Sequence, residues 1–333
     1  MNERVAVLGA GAWGTAIANL LAKKGHAVTL WAFEPHVAEA ISSRHENPVY
    51  LPGIALHESL RAVSAVPAAV ENMPYVVSVT PAQHARRVLV QAVDALHPDA
   101  VVVSASKGIE TRTLCTMAEV LDDVLPVANA AFLSGPSFAI EVAREQATAV
   151  TVAARDAAAA LRVQSLFQTP YFRVYTSDDV PGVELGGALK NVIALAAGMA
   201  VGLGLGHNAT AALITRGLAE ITRLGRARGA NPLTLAGLAG MGDLILTCTG
   251  ELSRNRTVGV ELGQGRTLHE ILAGRTTVAE GIETARAAHA LARREGMEMP
   301  IVAEVYAVLY EGRQPRDALD NLMQREPKPE LWR

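Results

Sequence analysis

Residues 9–14 read Gly9-Ala-Gly11-Ala12-Trp13-Gly14, directly after the apolar run 5–8 and directly ahead of a helical pattern over 15–24. Strand, glycine turn and helix in that order leave little choice of fold. Gly9 permits the tight turn, Gly11 lets the backbone approach a pyrophosphate without a Cβ in the way, and Gly14 allows close helix–strand contact. The free N–H groups and the positive end of the helix dipole then face the phosphates. In this context the motif is a dinucleotide-binding fingerprint. Trp13, inside it, packs either on the cofactor or on the helix start. A second strand is expected over 27–33, ending at Phe33 and Glu34. Glu34 lies about 20 residues past Gly14, where an acid bonds the adenosine ribose hydroxyls. A carboxylate there repels a 2′-phosphate, so NAD is the expected cofactor, with NADP as the alternative.

Further apolar runs at 62–66, 75–80, 100–104, 130–133, 147–153 and 171–175 read as strands, with helices over 83–96, 138–144 and 155–167 among them. Nearly continuous apolar strands alternating with helices predict a parallel sheet covered on both faces. From residue 180 the strand patterns stop. Helix follows helix, broken by glycine turns at 202–206 and 237–242, by Asn231-Pro232 and by Pro315. The expected class is therefore α/β. Residues 1–179 would form a Rossmann-type doubly wound sheet, and residues 180–333 an all-helical domain for substrate and catalysis. Residues 326–333, with Pro327 and Pro329, are expected to fray. Aromatics are 4% of the chain, so its cores must be built from Ala, Val and Leu.

A formal net charge of −3 offers no basic field to nucleic acid or an anionic membrane. Cys115 and Cys248 are too far apart in sequence for a CxxC pair, and the nine histidines form no HExxH pattern. No metal site is expected. The apolar stretch 192–206 is shorter than the roughly 20 residues of a spanning helix. The stretch 5–22 contains three glycines and lacks a signal-peptide cleavage pattern. A cytoplasmic protein with no membrane span and a small-molecule substrate is expected, with a homodimer open as its assembly.

A second group of residues carries chemistry. Ser106-Lys107-Gly108 follows a strand at the carboxyl edge of the sheet, where ligands bind in such folds. Gly135-Pro136-Ser137 follows another strand and opens a helix, which suits an oxyanion or phosphate. Lys190 stands in Gly186-Gly-Ala-Leu-Lys-Asn191-Val-Ile-Ala-Leu, small and apolar on every helical face. Burial there lowers a lysine's pKa toward neutrality and fits it to hold and release a proton at a carbonyl or alcohol. Asp243, in Gly240-Met-Gly-Asp-Leu, either orients a lysine or caps a helix. Ser253-Arg254-Asn255-Arg256 sets hydroxyl, guanidinium and amide side by side as a phosphate clamp or a solvated helix start. Glu280 is a first-turn acid at a helix dipole.

Seven strings together resemble the bacterial-type NAD(P)-dependent glycerol-3-phosphate dehydrogenase family. They are GAGAWGTA from Gly9, SKG from Ser106, GPSFA from Gly135, LKN from Leu189, GMGDL from Gly240, SRN from Ser253 and VAEG from Val278. The resemblance implies that Lys190 is the proton donor and acceptor. It implies that Lys107, Gly135, Ser137, Lys190, Asp243, Ser253, Arg254 and Asn255 hold glycerol 3-phosphate, made for phospholipid synthesis. Trp13, Lys107, Ala139, Arg254, Val278 and Glu280 would contact the dinucleotide. The family usually carries His or Arg after the second strand, where this chain has Phe33-Glu34. Ala12 stands where Ser is frequent. A hydroxyacid dehydrogenase and an NADH-sensing regulator are the rival readings.

Overall fold

The computed structural model describes residues 2–125, 129–273 and 279–330. Its sheet has eight strands: β1 (Arg4–Leu8), β2 (Ala27–Trp31), β3 (Arg61–Val63), β4 (Tyr75–Ser78), β5 (Val101–Ser104), β6 (Asn129–Ser134), β7 (Thr148–Ala154) and β8 (Phe172–Ser177). Their order is β3-β2-β1-β4-β5-β6-β7-β8. Pairing is parallel from β3 through β6. The order reverses between β1 and β4, which opens a crevice at their carboxyl ends.

Alternate residues of each strand serve opposite faces. Val5 and Val7 join Val77, Val103, Ile17 and Phe167 in one core, while Ala6 and Leu8 join Val76, Val102, Val88 and Leu121 in the other. Burial of both faces explains why these strands are apolar throughout. The covering helices are α1 (Ala12–Lys23), α2 (Pro35–Arg44), α3 (Val66–Val70), α4 (Ala82–Val90), α5 (Met117–Val124), α6 (Ala139–Ala143) and α7 (Ala157–Phe167).

Three expectations are corrected. β7 runs antiparallel to β6, with β8 parallel to β7. The link between β6 and β7 holds only the five-residue α6, which does not carry the chain back along the sheet as a parallel crossover must. β2 stops at Trp31, so Phe33 lies beyond the strand and is 69% exposed. Val66, expected to end a strand, instead opens α3. In addition α1 starts at Ala12, which puts Gly14 inside its first turn.

Among the described residues from 180 on, the ordered elements are helices: α8 (Val180–Gly202), α9 (His207–Ala227), α10 (Pro232–Leu235), α11 (Asp243–Thr249), α12 (Arg254–Gly263), α13 (Leu268–Ala273), α14 (Glu280–Arg294), α15 (Pro300–Tyr310) and α16 (Pro315–Met323). A π-helical turn, Leu238–Gly242, leads into α11. Asp179 caps α8, its carboxylate accepting from Gly182 N–H at 2.9 Å. By length and composition α8 could cross a membrane, but 89% of its most apolar stretch is buried in the protein. The run Pro232–Thr249 passes the same test and is 39% buried.

Glycines let α8 sit this deep. A Cβ at Gly259 or Gly263 of α12 would collide with the carbonyl oxygens of Leu195 or Met199, and one at Gly198 with that of Arg256. About three turns earlier, a Cβ at Gly186 would stand 2.6 Å from the Ala239 carbonyl oxygen. The small residues around Lys190 are thus the surface by which α8 meets its neighbours at backbone distance.

Candidate active site

The glycine turn lies at the crevice. Gly9 has φ +123°, and a Cβ there would stand 3.0 Å from the Val79 carbonyl oxygen just past β4. A Cβ at Gly14 would overlap the Gly9 carbonyl oxygen, so α1 packs on the turn only without one. At Gly11 a Cβ would meet nothing within 4 Å. That side of the turn is open, and α1 begins there without a side-chain cap. Its first N–H groups are free to take an anion. Trp13 beside them is half-buried, and its Nε1 has no hydrogen-bond partner among the described residues. Ala12 and Trp13 pack with Ala139 and Ile140 of α6. An open glycine turn, free N–H groups and a waiting indole donor fit a dinucleotide.

Glu34 stands at the N-cap position of α2, where its side chain makes no capping bond and instead accepts from the Tyr50 hydroxyl at 2.7 Å. This hydrogen bond pushes the Tyr50 phenol up to about 12. Tyr50 N–H in turn donates to Asn47 Oδ1 at 3.0 Å, and Asn47 Nδ2 donates to Ala10 O and Thr15 Oγ1, each at 2.8 Å. The glycine turn and Glu34 are therefore held in one polar network. Sequence reasoning missed Asn47 and Tyr50, which sit in an irregular loop with no periodic signal.

Lys107, Lys190 and Asp243 come together from three parts of the chain. Lys190 on α8 is 7% exposed, and its Nζ donates to Asp243 Oδ1. Lys107, in the loop after β5, donates to Asp243 Oδ2 at 2.7 Å and to the Gly135 carbonyl at 2.9 Å. Asp243 is fully buried. Two ammonium groups on one carboxylate leave a net positive site. Burial lowers Lys190 to about 8; Asp243 opposes the shift and Lys107 adds to it. Thr247, one turn along α11, donates from Oγ1 to the Asp243 carbonyl at 2.6 Å and steadies that helix start. Cys248 beside it is buried, which pushes its thiol up to about 12, and both it and Cys115 are free.

The other expected residues lie around this cluster. Ser137 Oγ donates to the Gly135 carbonyl at 2.9 Å, closing the turn that Lys107 grips. Ser253 caps α12, accepting from Arg256 N–H at 3.2 Å. Asn255 is engaged inside the protein. Its Nδ2 donates to Asn191 Oδ1 at 2.8 Å and its Oδ1 accepts from Gly281 N–H at 2.9 Å. One amide hydrogen of Asn255 remains for a ligand. Asn191, which follows the lysine directly, thus joins α8 to α12 and α14. Arg254 has its pKa lowered by burial, with the Glu280 charge opposing. Burial raises Glu280 to about 7, with the Ala82 N–H and Arg254 opposing. Glu280 Oε2 lies 3.0 Å from where a Cβ at Gly108 would stand, against the Lys107 loop. Val278 falls outside the described residues.

Comparison with known proteins identifies the assembly. The model for the N-terminus of NAD-dependent glycerol-3-phosphate dehydrogenase matches residues 4–160, and the model for its C-terminus matches residues 179–320. The chain belongs to this dehydrogenase family. A glycerol-3-phosphate dehydrogenase (NAD(P)+) of Geobacter sp. strain M21 is 55% identical over 333 residues, covering 99% of each chain. One of Geobacter sulfurreducens is 56% identical over 335 residues and 100% of each. A crystal structure of glycerol-3-phosphate dehydrogenase from Coxiella burnetii superposes with TM-score 0.94 at 37% identity, covering 97% of this chain and 99% of that one. The dehydrogenase family therefore accounts for both the sheet and the helical part of this chain.

Proposed function

We propose that the protein interconverts dihydroxyacetone phosphate and sn-glycerol 3-phosphate with NAD(P)H or NAD(P)+. The observation that carries this reading is the buried Lys107–Asp243–Lys190 cluster beside the glycine turn, in a chain whose family models cover both its parts. When bound, the nicotinamide ring supplies or accepts the hydride at the central carbon of the substrate. Gly9, Gly11, Ala12, Trp13, Gly14, Phe33, Glu34, Lys107, Ala139, Arg254 and Glu280 would hold the dinucleotide.

The residues of the chain handle charge and protons. As the ketone is reduced, negative charge grows on its oxygen. The Lys190 ammonium stabilises that charge and delivers a proton to the oxygen. In the reverse direction neutral Lys190 takes the alcohol proton. Asp243 fixes the amine, and Lys107 lowers its proton affinity. Ser137, Ser253, Arg254 and the free amide hydrogen of Asn255 would anchor the phosphate, so that binding energy orients the ketone. We assign residues 1–179 as the dinucleotide-binding domain and residues 180–333 as the substrate and catalytic domain, with Lys107 and Ser137 reaching the substrate from the first and Arg254 and Glu280 reaching the dinucleotide from the second. A role in supplying glycerol 3-phosphate for phospholipid synthesis in the cytoplasm is part of this reading. Exposed Leu233, Met241, Ile245 and Leu252 on one stretch of chain support a homodimer, testable by light scattering.

NADH oxidation followed by absorbance, with dihydroxyacetone phosphate against a panel of oxo acids, tests the reaction. Turnover confined to the phosphorylated ketone is expected. Turnover confined to an oxo acid would support the hydroxyacid dehydrogenase, and none at all the sensor. Because Glu34 repels a 2′-phosphate, kcat/KM should be higher with NADH than with NADPH, and the reverse order would remove Glu34 from that role.

A further inference from the structure

Beneath the Lys107 side chain, where β5 and β6 end against the first turns of α8, lies a cavity of about 10 Å3. That is room for one water molecule. Its polar lining is Ser104, Ser106, Lys107, Ser134 and Glu184. Ser106 faces elsewhere, donating from Oγ to the Thr80 carbonyl at 2.6 Å. Ser134 is 5% exposed, and its Oγ has no hydrogen-bond partner among the described residues. Buried hydroxyls are rarely left so. Gly187 keeps the cavity open, since a Cβ there would stand 2.5 Å from Ser134 Oγ and 3.6 Å from Lys107 Cγ. On the α8 wall, Glu184 Oε1 accepts from Ala118 N–H at 2.9 Å and so ties α8 to the first turn of α5. Burial raises the Glu184 carboxyl to about 8, opposed by the Ala118 N–H, the Thr116 side chain and the Met117 N–H, with Glu119 adding to the rise. In either protonation state its oxygens can accept a hydrogen bond from a water. A hydroxyl on one wall and a carboxyl on the other supply the partners a buried water needs.

We propose that this cavity is a site for one fixed water bridging Ser134 Oγ and the Glu184 carboxyl, and that both side chains are positioning residues for Lys107. Ser134 directly precedes Gly135, whose carbonyl receives the Lys107 ammonium. Glu184 lies on the helix that carries Lys190. The bridge therefore ties the carbonyl that holds one lysine to the helix that presents the other. Without it, the Gly135 carbonyl and Lys107 are free to drift from Asp243. The charged groups acting on Lys190 are Asp243 and Lys107, with the neutral Cys248 thiol nearby. Withdrawal of Lys107 removes a positive neighbour, and the proton affinity of Lys190 rises.

The kinetic half of the test rests on the proposed reaction; the structural half does not. A high-resolution crystal structure of the protein is expected to hold one density peak within hydrogen-bond distance of both Ser134 Oγ and a Glu184 carboxyl oxygen, and a dry cavity overturns the site. Ser134→Ala, a change of one hydroxyl, is expected to lower kcat for dihydroxyacetone phosphate at least threefold and move the alkaline limb of the kcat profile to higher pH. A variant with the wild-type melting temperature, kcat and pH limb overturns the positioning role. If the wild type itself fails to reduce dihydroxyacetone phosphate, the functional reading is lost and the density peak alone decides the water site.

Discussion

At the scale of single residues, the proposed chemistry rests on one amine kept at the edge of ionisation. Lys190→Met should retain NADH binding, followed by nucleotide fluorescence, and lose about 10²–10⁴-fold in kcat, the range associated with a positioned acid–base group. Unchanged turnover would exclude Lys190 from proton transfer. With its amine at about 8, the profile has a defined sign. Ketone reduction needs the ammonium, so its kcat should hold below about pH 8 and fall above. Alcohol oxidation needs the free amine and should rise through the same range; limbs that do not oppose each other would contradict the assignment. Lys190 was legible in the sequence because small and apolar neighbours on every helical face mark burial. Its dependence on Asp243 was half legible, since a helix cap was an equal reading. Ser134 and Glu184 were not legible at all. Their partners lie across the chain, and the Glu184 contact spans 66 positions to Ala118. Asn255 was legible in part: its polar neighbours suggested a ligand clamp, and the structure adds that most of its capacity joins α8 and α14.

At the scale of elements, the critical contact is α8 against α12. Both helices present glycines four residues apart, Gly198 and Gly202 facing Gly259 and Gly263. Gly259→Ala gains helix propensity but drives a methyl group into the Leu195 carbonyl. Overpacking of this kind costs about 1–3 kcal/mol, more than the propensity gain of roughly 1 kcal/mol. Urea unfolding should therefore register a net loss, and a stabilised variant would mean the helices separate easily. The sequence revealed the first strand, the glycine turn and the helix after it, because each has its own local signature. It concealed the direction of β7, since an apolar run reports burial on two faces and nothing about polarity. It also concealed α2 and α5, which are short and set between stronger strand patterns.

At the scale of the whole molecule, several carboxyls are buried to hold helices together. Glu184 is raised to about 8, and Glu220 and Glu280 to about 7, all chiefly by burial. Glu220 on α9 accepts from the Ile301 and Val302 N–H groups at the start of α15, at 2.8 and 3.3 Å. A carboxyl whose folded pKa lies above its unfolded value of 4.5 contributes stability that is complete below 4.5 and lost as pH rises through 7–8. The urea midpoint at pH 5.5 should therefore exceed that at pH 8.5. Above pH 8 the lowered Lys190 acts in the opposite sense, because the unfolded chain then binds the extra proton, and the decline should flatten. A midpoint that climbs steadily from pH 5.5 to 8.5 would contradict the ionisation assigned to these three side chains.

Asp243 joins the two parts of the chain through a shared charge. One of its oxygens belongs to an ammonium presented by the sheet and the other to an ammonium presented by the helices. Cutting the gene between the two parts would strand a desolvated anion with a single counter-ion and leave the other half with an orphan cation. Two separately made halves would satisfy that anion only by docking again.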